Sequence, residues 1–207
     1  MTQTPRRFTG DTLLIASHNA GKVREIGALL HAYVRHFPSA TDHALPEPAE
    51  TGTTYEANAE LKALAAARAT GLPALADDSG LAVTALGGRP GIHSARYAER
   101  PDGSRDFIWG MEKLRIEVEA QGDTADRTAA FMAALTIAWP DGHTETVLGR
   151  CDGTLQWPPR GTRGFGYDPI FVPIDHGMTF GEMEPAKKHG MSHRADAFRQ
   201  LVARCFA

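Results

Sequence analysis

The chain has 207 residues, 42% of them hydrophobic, and its 22 basic and 25 acidic side chains give a formal net charge of −3. These values fit one globular domain over residues 1–207, with material for two lobes, and exclude a disordered chain. The slightly acidic balance argues against a general nucleic-acid-binding protein, which is usually basic. Cys151 and Cys205 form neither a CxxC motif nor a disulfide framework, which fits a reducing cytoplasm.

The first apolar run of the chain is short. It covers residues 13–16, which are too few for the core of a signal peptide or for a membrane span. We therefore expect a soluble, cytoplasmic protein with no membrane partner.

A strand, a polar loop and a helix come first along the chain. Residues 12–17 (TLLIAS) are typical of a buried strand, and residues 22–33 carry apolar side chains at helical spacing. The loop between them, SHNAGK, ends at Lys22, so free N–H groups, the positive end of the helix and an ammonium group meet there. This arrangement favours an anion such as phosphate, although it lacks the Walker A pattern. A capped turn with a solvated lysine is the alternative.

A second helix is predicted after a loop rich in proline, glutamate and glycine. The pattern Thr53-x-x-Glu56 is a capping box that begins this helix, and Gly71 ends it just after Thr70. We expect four side chains on its buried face: Leu61, Leu64, Ala65 and Ala69.

Three polar residues of this region are candidates for a functional site. Asn58 and Lys62 lie on the predicted helix, where either side chain can point into a cleft. Glu50, in the AETG stretch before the helix, is a candidate second carboxylate for a metal ion. An exposed acid in a loop is the alternative for Glu50.

The stretch ALADDSGL, residues 74–81, is the centre of the sequence argument. Its apolar run predicts a buried strand that ends at Asp77 and Asp78, and ligands of open α/β sheets bind at the carboxyl ends of strands. Adjacent carboxylates repel each other unless a cation neutralises them or one is protonated. Oxygen ligands of this kind suit Mg²⁺ or Mn²⁺ beside substrate phosphates. A turn without chemistry is the alternative.

The middle of the chain continues the alternation of strands and helices. A further strand is predicted over residues 81–86, a helix over residues 104–120, and a hairpin of strands over residues 128–139 and 144–150. Leu155 and Trp157 are candidates to extend the sheet. We expect the helix to bury five apolar side chains: Phe107, Ile108, Met111, Leu114 and Val118.

Residues 161–173 (GTRGFGYDPIFVP) form a second dense stretch. Its glycines permit close approach of the backbone to a ligand. Phe165 and Tyr167 can stack on a base, and Asp168 can accept a hydrogen bond from a ring N–H. A glycine-rich turn with aromatic packing is the alternative.

The chain closes with a predicted helix from Ser192 to about Phe206. His193 and Arg194 lie at its start, where they can bind a purine edge or a phosphate, or form an ordinary surface pair. The side chains expected to face inward are Ala195, Phe198, Leu201, Val202 and Cys205.

The order of these motifs is more specific than any one of them. SHNAGK, AETG, ALADDSGLAV, GGRPGIHSARY, GTRGFGYDPIF and SHRA follow one another between residues 13 and 202. Together they closely resemble the inosine triphosphate pyrophosphatase family, also called dITP/XTP or non-standard purine NTP pyrophosphatases. The resemblance implies an α/β fold with two lobes around a long mixed β-sheet, flanking helices, a central substrate cleft and a homodimer.

The resemblance also implies roles for particular residues. Asp78 matches the catalytic carboxylate that binds Mg²⁺, and Glu50 matches a glutamate that helps to hold the metal. Lys188 matches the substrate lysine, with its neighbour Lys187 as the alternative. His18 stands where relatives often have glycine, and residues 102–107 look less typical. The implied substrate-binding residues are Ser17, His18, Asn19, Ala20, Gly21, Lys22, Ser79, Phe165, Gly166, Tyr167, Asp168, Lys188, His193 and Arg194.

The implied reaction converts ITP, dITP or XTP and water into the nucleoside monophosphate and pyrophosphate, which keeps deaminated purines out of DNA and RNA. Water attacks the α-phosphorus, and the phosphates and Asp78 are bridged by Mg²⁺, for which Mn²⁺ can substitute. Asp78 either orients or deprotonates the water, or it only holds the metal while Asp77 or Glu50 positions the water. Two other functions stay open: a silent nucleotide-sensing module, and a Maf-like pyrophosphatase that prefers modified pyrimidines.

Overall fold

The computed structural model describes residues 4–122 and 124–206. The chain divides into two compact units. The first unit contains Met1–Asp78, Ala133–Gly149 and His193–Ala207, and the second contains Ser79–Met132 and Arg150–Ser192. None of the helices in the described part of the chain has the length and apolar character to cross a membrane.

A five-stranded sheet has the strand order β1-β2-β3-β4-β5. β1 pairs with β2 in parallel, with Leu14 opposite Ala74, and β4 pairs with β5 antiparallel, with Gly153 opposite Pro173. The sheet is therefore mixed, and six helices of the described residues accompany it, which confirms the predicted α/β class. The strands are β1 (Leu14–Ile15), β2 (Ala74–Val83), β3 (Thr128–Ala138), β4 (Thr144–Leu155) and β5 (Phe171–Pro173). The helices are α1 (Ala20–Leu30), α2 (Tyr55–Thr70), α3 (Ser94–Tyr97), α4 (Phe107–Glu119), α5 (Pro185–Met191) and α6 (His193–Leu201).

Helix α1 begins two residues before the predicted start because Asn19 caps it. The Asn19 Oδ1 atom accepts hydrogen bonds from the backbone N–H groups of Gly21 and Lys22, at 2.9 and 3.1 Å. These bonds satisfy two of the N–H groups that a helix start leaves without partners. Asn19 therefore fixes the point where the polar loop becomes helix.

Helix α2 differs from its prediction at the cap and on its buried face. Thr54 is the cap, since its hydroxyl accepts from the Ala57 N–H at 3.1 Å, so the capping box at Thr53 is wrong by one residue. Ala65 and Ala69 are exposed, and Leu61 and Leu64 are only partly buried, contrary to the prediction. The buried face consists of Asn58, Ala59, Ala63, Ala66 and Ala67.

Small side chains explain this orientation of α2. Ala63, Ala66 and Ala67 pack in one cluster with Ala74 and Ala76 of β2. Alanine lets a helix approach a strand closely, so the larger side chains of Leu61 and Leu64 lie at the edge of this contact, where they are only partly buried. The predicted stop is confirmed, because Gly71 adopts a left-handed conformation with φ of 70° at the end of the helix.

Strand β2 is one continuous strand of ten residues, Ala74–Val83. The prediction that a strand ends at Asp77 and Asp78 and that another covers residues 81–86 is therefore wrong. Residues 84–86 form a 3₁₀ turn after the strand. The strand runs through the acidic pair because both carboxylates find cationic partners inside the fold, as described below.

The second unit has its own core, in which Leu81, Met111, Leu114, Phe171 and Phe180 are buried. Asp106 caps α4 through bonds from the N–H groups of residues 108 and 109, at 2.9 and 3.1 Å, so the helix begins later than predicted.

Two predicted core residues of α4 are not buried as predicted. Phe107 is only partly buried, and Ile108 is 75% exposed. At about 100° per residue, Ile108 lies roughly a quarter turn from the helix face that carries Met111 and Leu114.

The C-terminal region contains a helix that the sequence did not predict. Helix α5, Pro185–Met191, carries Lys187 and Lys188, and Ser192 separates it from α6. A π-helical turn over Val202–Phe206 ends the predicted closing helix. Its inward side chains are buried as predicted, except that Val202 is only partly buried. Leu155 extends β4 as expected, whereas Trp157 lies outside the strand.

Candidate functional site

The first cluster of the first unit joins Asp78 to Glu50 through one lysine. Lys62 Nζ lies 2.8 Å from Asp78 Oδ1 and 2.7 Å from Glu50 Oε1. The Asn58 amide donates to Asp78 Oδ2 at 3.4 Å. Residues four apart on a helix share a face, so α2 presents Asn58 and Lys62 to β2 together. We call Glu50, Asn58, Lys62 and Asp78 the Asp78 cluster; it brings together both carboxylates predicted to hold metal.

Asn58 also fixes the loop that carries Glu50. Its Oδ1 atom accepts a hydrogen bond from the Gly52 N–H at 2.8 Å. A Cβ atom at Gly52 would lie 2.7 Å from that oxygen, so the close approach requires glycine. One buried amide therefore holds both the AETG loop and Asp78. Sequence reasoning named Asn58 and Lys62 only as candidates for a cleft, and their four-residue spacing in an alanine-rich helix was the available signal.

The electrostatics of the Asp78 cluster follow from burial. Burial raises the pKa of Asp78, and the Lys62 ammonium offsets this only in part. For Lys62, burial lowers the pKa, but the carboxylates of Asp78 and Glu50 outweigh it, so the pKa is raised. Lys62 therefore stays charged, and Asp78 is more basic than an ordinary aspartate.

The second cluster of the first unit surrounds Asp77, whose side chain is fully buried. Lys22 Nζ lies 2.7 Å from Asp77 Oδ1, and Arg194 Nε donates to Asp77 Oδ2 at 2.8 Å. The Arg194 guanidinium also pairs with Glu25 of α1. We call Lys22, Glu25, Asp77 and Arg194 the Asp77 cluster.

The two cations determine the charge of Asp77. Burial raises the pKa of Asp77, but Arg194 and Lys22 together outweigh it and hold the pKa well below its usual range. Asp77 is therefore ionised and engaged on both oxygens, which removes the support for Asp77 as the residue that positions water. Lys22 is ion-paired rather than solvated, and Arg194 is 1% exposed rather than part of a surface pair. Glu25 is a partner that sequence reasoning missed, since 169 residues separate it from Arg194.

The polar loop before α1 is anchored by its own side chains. The Asn19 N–H donates to Ser17 Oγ at 3.2 Å, and His18 Nε2 lies 2.7 Å from the Leu45 carbonyl oxygen. His18 is exposed, as its expected outward direction requires. Ala20 and Gly21 form the first turn of α1. Residues 17–22 thus form a capped turn, as the alternative predicted, but Lys22 is ion-paired rather than solvated. Phosphate binding by this loop stays a prediction.

In the second unit, Asp168 joins the aromatic segment to Lys188. Lys188 Nζ lies 2.7 Å from Asp168 Oδ2, and the same oxygen accepts from the Phe165 N–H at 2.8 Å. The ammonium lies 5.4 Å from the centre of the Phe165 ring. Gly164 has φ of +73°, and a Cβ there would lie 2.0 Å from Asp168 Oδ2. We call Phe165, Asp168 and Lys188 the Asp168 cluster.

Tyr167 is packed differently from Phe165. Its hydroxyl donates to the Ser94 carbonyl at 3.0 Å, its ring meets Phe107 edge to face at 5.4 Å, and it is buried. Burial raises the pKa of Tyr167. Phe165 is half-buried, so of the two rings it is the more accessible one for stacking on a base.

Lys188 and its neighbour Lys187 differ in burial. Lys188 is 4% exposed, whereas Lys187 is exposed on the outer side of α5. This favours Lys188 over Lys187 as the functional lysine. Of the other predicted residues, His193 is buried at the start of α6, Ser79 is half-buried in β2, and Gly166 lies in the turn before Tyr167.

The Asp78 cluster fits a divalent cation with few protein ligands. Within residues 4–122 and 124–206, no group of three or more His, Cys, Asp or Glu side chains is arranged to hold a metal ion. Glu50 and Asp78, which share one ammonium partner, are a pair of carboxylates. Mg²⁺ is usually bound by one or two carboxylates together with substrate phosphates and water, so this donor set is suitable.

Comparison with known proteins identifies the family. The sequence model of the Ham1 family matches residues 13–204, and the chain belongs to this family. The chain is 63% identical over 203 residues to a protein of Rhodospirillum centenum named dITP/XTP pyrophosphatase, with 98% of each chain covered. A Rhizobium meliloti protein of the same name is 52% identical over 210 residues, which cover 97% of this chain and 98% of that protein.

Solved structures agree with this assignment. A HAM1 protein from Coxiella burnetii superimposes with a TM-score of 0.82 at 37% identity, covering 93% of this chain and 96% of that chain. The family and the α/β fold that the motif order implied are therefore confirmed.

Proposed function

We propose that the chain hydrolyses the non-standard purine triphosphates ITP, dITP and XTP to the nucleoside monophosphate and pyrophosphate. In this role it removes deaminated purines from the nucleotide pool. The observation that carries the proposal is the buried Asp78, joined to Glu50 by Lys62, in a chain 63% identical to a protein named dITP/XTP pyrophosphatase.

We assign the triphosphate to the Asp78 cluster and to the loop at residues 17–22. Glu50 and Asp78 would hold Mg²⁺, or Mn²⁺ in its place. When bound, the ion neutralises charge that develops on the phosphate oxygens. Lys22, together with N–H groups of the loop at residues 17–22, provides positive potential for the phosphates at the start of α1.

Asp78 is the residue assigned to the attacking water. Burial raises the pKa of Asp78 while Lys62 is its partner, whereas a divalent cation held there would lower the pKa, so we assign Asp78 to orienting the water rather than to taking its proton. Asp77 is a poor candidate, since both of its oxygens are held by cations. In this assignment Asp78 orients the water for attack on the α-phosphorus, and pyrophosphate leaves.

We assign the base to the Asp168 cluster. The half-buried ring of Phe165 offers a stacking surface, and the Asp168–Lys188 pair lies beside it. Ser79, His193 and Arg194 are proposed substrate contacts on the strength of the family resemblance. The contacts of Arg194 give it, in addition, the task of holding Asp77.

Selectivity is assigned to the purine 6-position. Hypoxanthine and xanthine carry a 6-oxo group and an N1–H, whereas adenine carries an amino group and a bare N1. A site that donates to the 6-oxo group and accepts from N1–H leaves buried groups unpaired against adenine. Such mismatches discriminate by ~10⁴ or more.

Cellular setting and assembly complete the proposal. We place the reaction in the cytoplasm, beside the nucleotide pool on which it would act. The homodimer implied by the resemblance is also proposed, and sedimentation of the full chain would test it.

A substrate panel tests the proposed function. Pyrophosphate release is measured from ITP, XTP, dITP, ATP and GTP, each with Mg²⁺ and with EDTA. We expect fast release from ITP, XTP and dITP with Mg²⁺, little from ATP, and none with EDTA. Guanine shares the 6-oxo group and N1–H, so little release from GTP requires in addition a clash or an unsatisfied contact at its 2-amino group. Binding of ITP without turnover would favour the sensing module instead, and release from modified pyrimidine triphosphates would favour the Maf-like activity.

A further inference from the structure

Lys62 occupies a central position in the Asp78 cluster. Its ammonium contacts Asp78 Oδ1 and Glu50 Oε1 at 2.8 and 2.7 Å, and its side chain is 11% exposed. The two carboxylates are the ones assigned to the divalent cation. The Lys62 ammonium therefore occupies the same two carboxylates that are proposed to hold the divalent cation.

The ammonium and a metal ion exclude each other at these oxygens. Mg²⁺ binds oxygen at about 2.0–2.1 Å, so an ion held by Glu50 and Asp78 would need the place that the Lys62 ammonium occupies. Like charges at such distances repel strongly where water is scarce. Asn58 holds the other oxygen of Asp78, so Asp78 remains anchored when Lys62 moves.

We propose that Lys62 and the divalent cation compete for Glu50 and Asp78, and that the triphosphate relieves the competition. This inference rests on the metal site of the proposed function. A lysine on a flexible four-carbon stem can leave the carboxylates when another anion is in reach. The phosphates of the substrate provide that anion, so nucleotide binding and metal binding strengthen each other. Lys62 is then a positioning residue that keeps the metal site weak until substrate arrives.

Metal affinity without nucleotide tests this proposal directly. Mn²⁺ binding is followed by electron paramagnetic resonance for the wild-type chain, Lys62→Met and Lys62→Gln. The Gln variant keeps a hydrogen-bond donor for Asp78 without the charge, which guards against loss of fold in the Met variant. Lys187→Met is the matched control, since Lys187 is an exposed lysine.

We expect both Lys62 variants to bind Mn²⁺ at least tenfold more tightly than the wild type, while Lys187→Met stays within twofold of it. Adding Asp78→Asn to Lys62→Met should abolish the gain, because it removes one of the two carboxylates. Folded Lys62 variants that bind Mn²⁺ no more tightly than the wild type would overturn the competition. Failure of ITP hydrolysis in the substrate panel is a separate result, which would remove the proposed function and leave this affinity comparison standing.

Discussion

Asp77 and Asp78 are neighbours along β2 with different surroundings. Consecutive side chains of a strand point to opposite faces, so the pair is divided between two sets of partners. Asp77 meets Lys22 of α1 and Arg194 of α6, whereas Asp78 meets Lys62 of α2. Asp77 therefore stabilises the fold as a permanent anion, and Asp78 is the carboxylate proposed to act in the reaction.

Asp77 should make stability depend on acid pH. Its folded pKa is lowered, so its stabilisation is present above the ordinary carboxyl pKa of about 3.9 and is lost as the pH falls below it. Asp77→Asn leaves Lys22 without its anion and leaves Arg194 with Glu25 alone, which should cost roughly 3–5 kcal/mol at pH 7. Urea unfolding at pH 7, 3.5 and 2.5 should also show a shallower pH dependence for this variant than for the wild type.

Asp175→Asn serves as the control for that experiment, because Asp175 is exposed. It should change unfolding little at pH 7. If Asp77→Asn were no more destabilising than Asp175→Asn, the buried network would not contribute to stability as described.

At the scale of elements, β4 and α6 pack against each other at Gly149. A Cβ atom there would lie 2.2 Å from the His193 carbonyl oxygen and 2.3 Å from the Ala197 nitrogen. Both contacts are to helix backbone, which does not yield as a flexible side chain does. Glycine at this point therefore sets how closely the helix that begins with His193 and Arg194 approaches the strand.

Gly149→Ala should destabilise the protein by about 1–3 kcal/mol, the usual cost of overpacking. Thermal unfolding followed by circular dichroism measures the change. The control is Gly177→Ala, since a Cβ at Gly177 meets no atom within 4 Å. Equal melting temperatures for the two variants would show that β4 and α6 are not in the close contact described.

Sequence patterns predicted elements well where the side chains act locally. Gly71 stopped α2 as expected, because glycine tolerates the left-handed conformation. The start of α2 was ambiguous, since Thr53 and Thr54 are equally good caps. The seven residues of α5 lack an apolar period, so no pattern indicated a helix there.

At the scale of the whole molecule, the order of the motifs identified the family, but the pairing of charges required the fold. Arg194 and Asp77 are 117 residues apart in sequence, and no local spacing relates them. The sequence predicted that the strand ends at Asp77 and Asp78, because charged side chains are seldom buried within a strand. Only the positions of Lys22, Lys62 and Arg194 explain how β2 continues through it.

The most direct test of the account compares pyrophosphate release from ITP with Mg²⁺ by the wild type and by Asp78→Asn. Asparagine keeps the size of Asp78 and one of its two hydrogen-bond acceptors, but it removes the carboxylate that orients water and binds the metal, so we expect turnover to fall by at least about 100-fold. Circular dichroism should show that the variant is folded. Turnover within twofold of the wild type would contradict the assignment of Asp78 and with it the proposed mechanism.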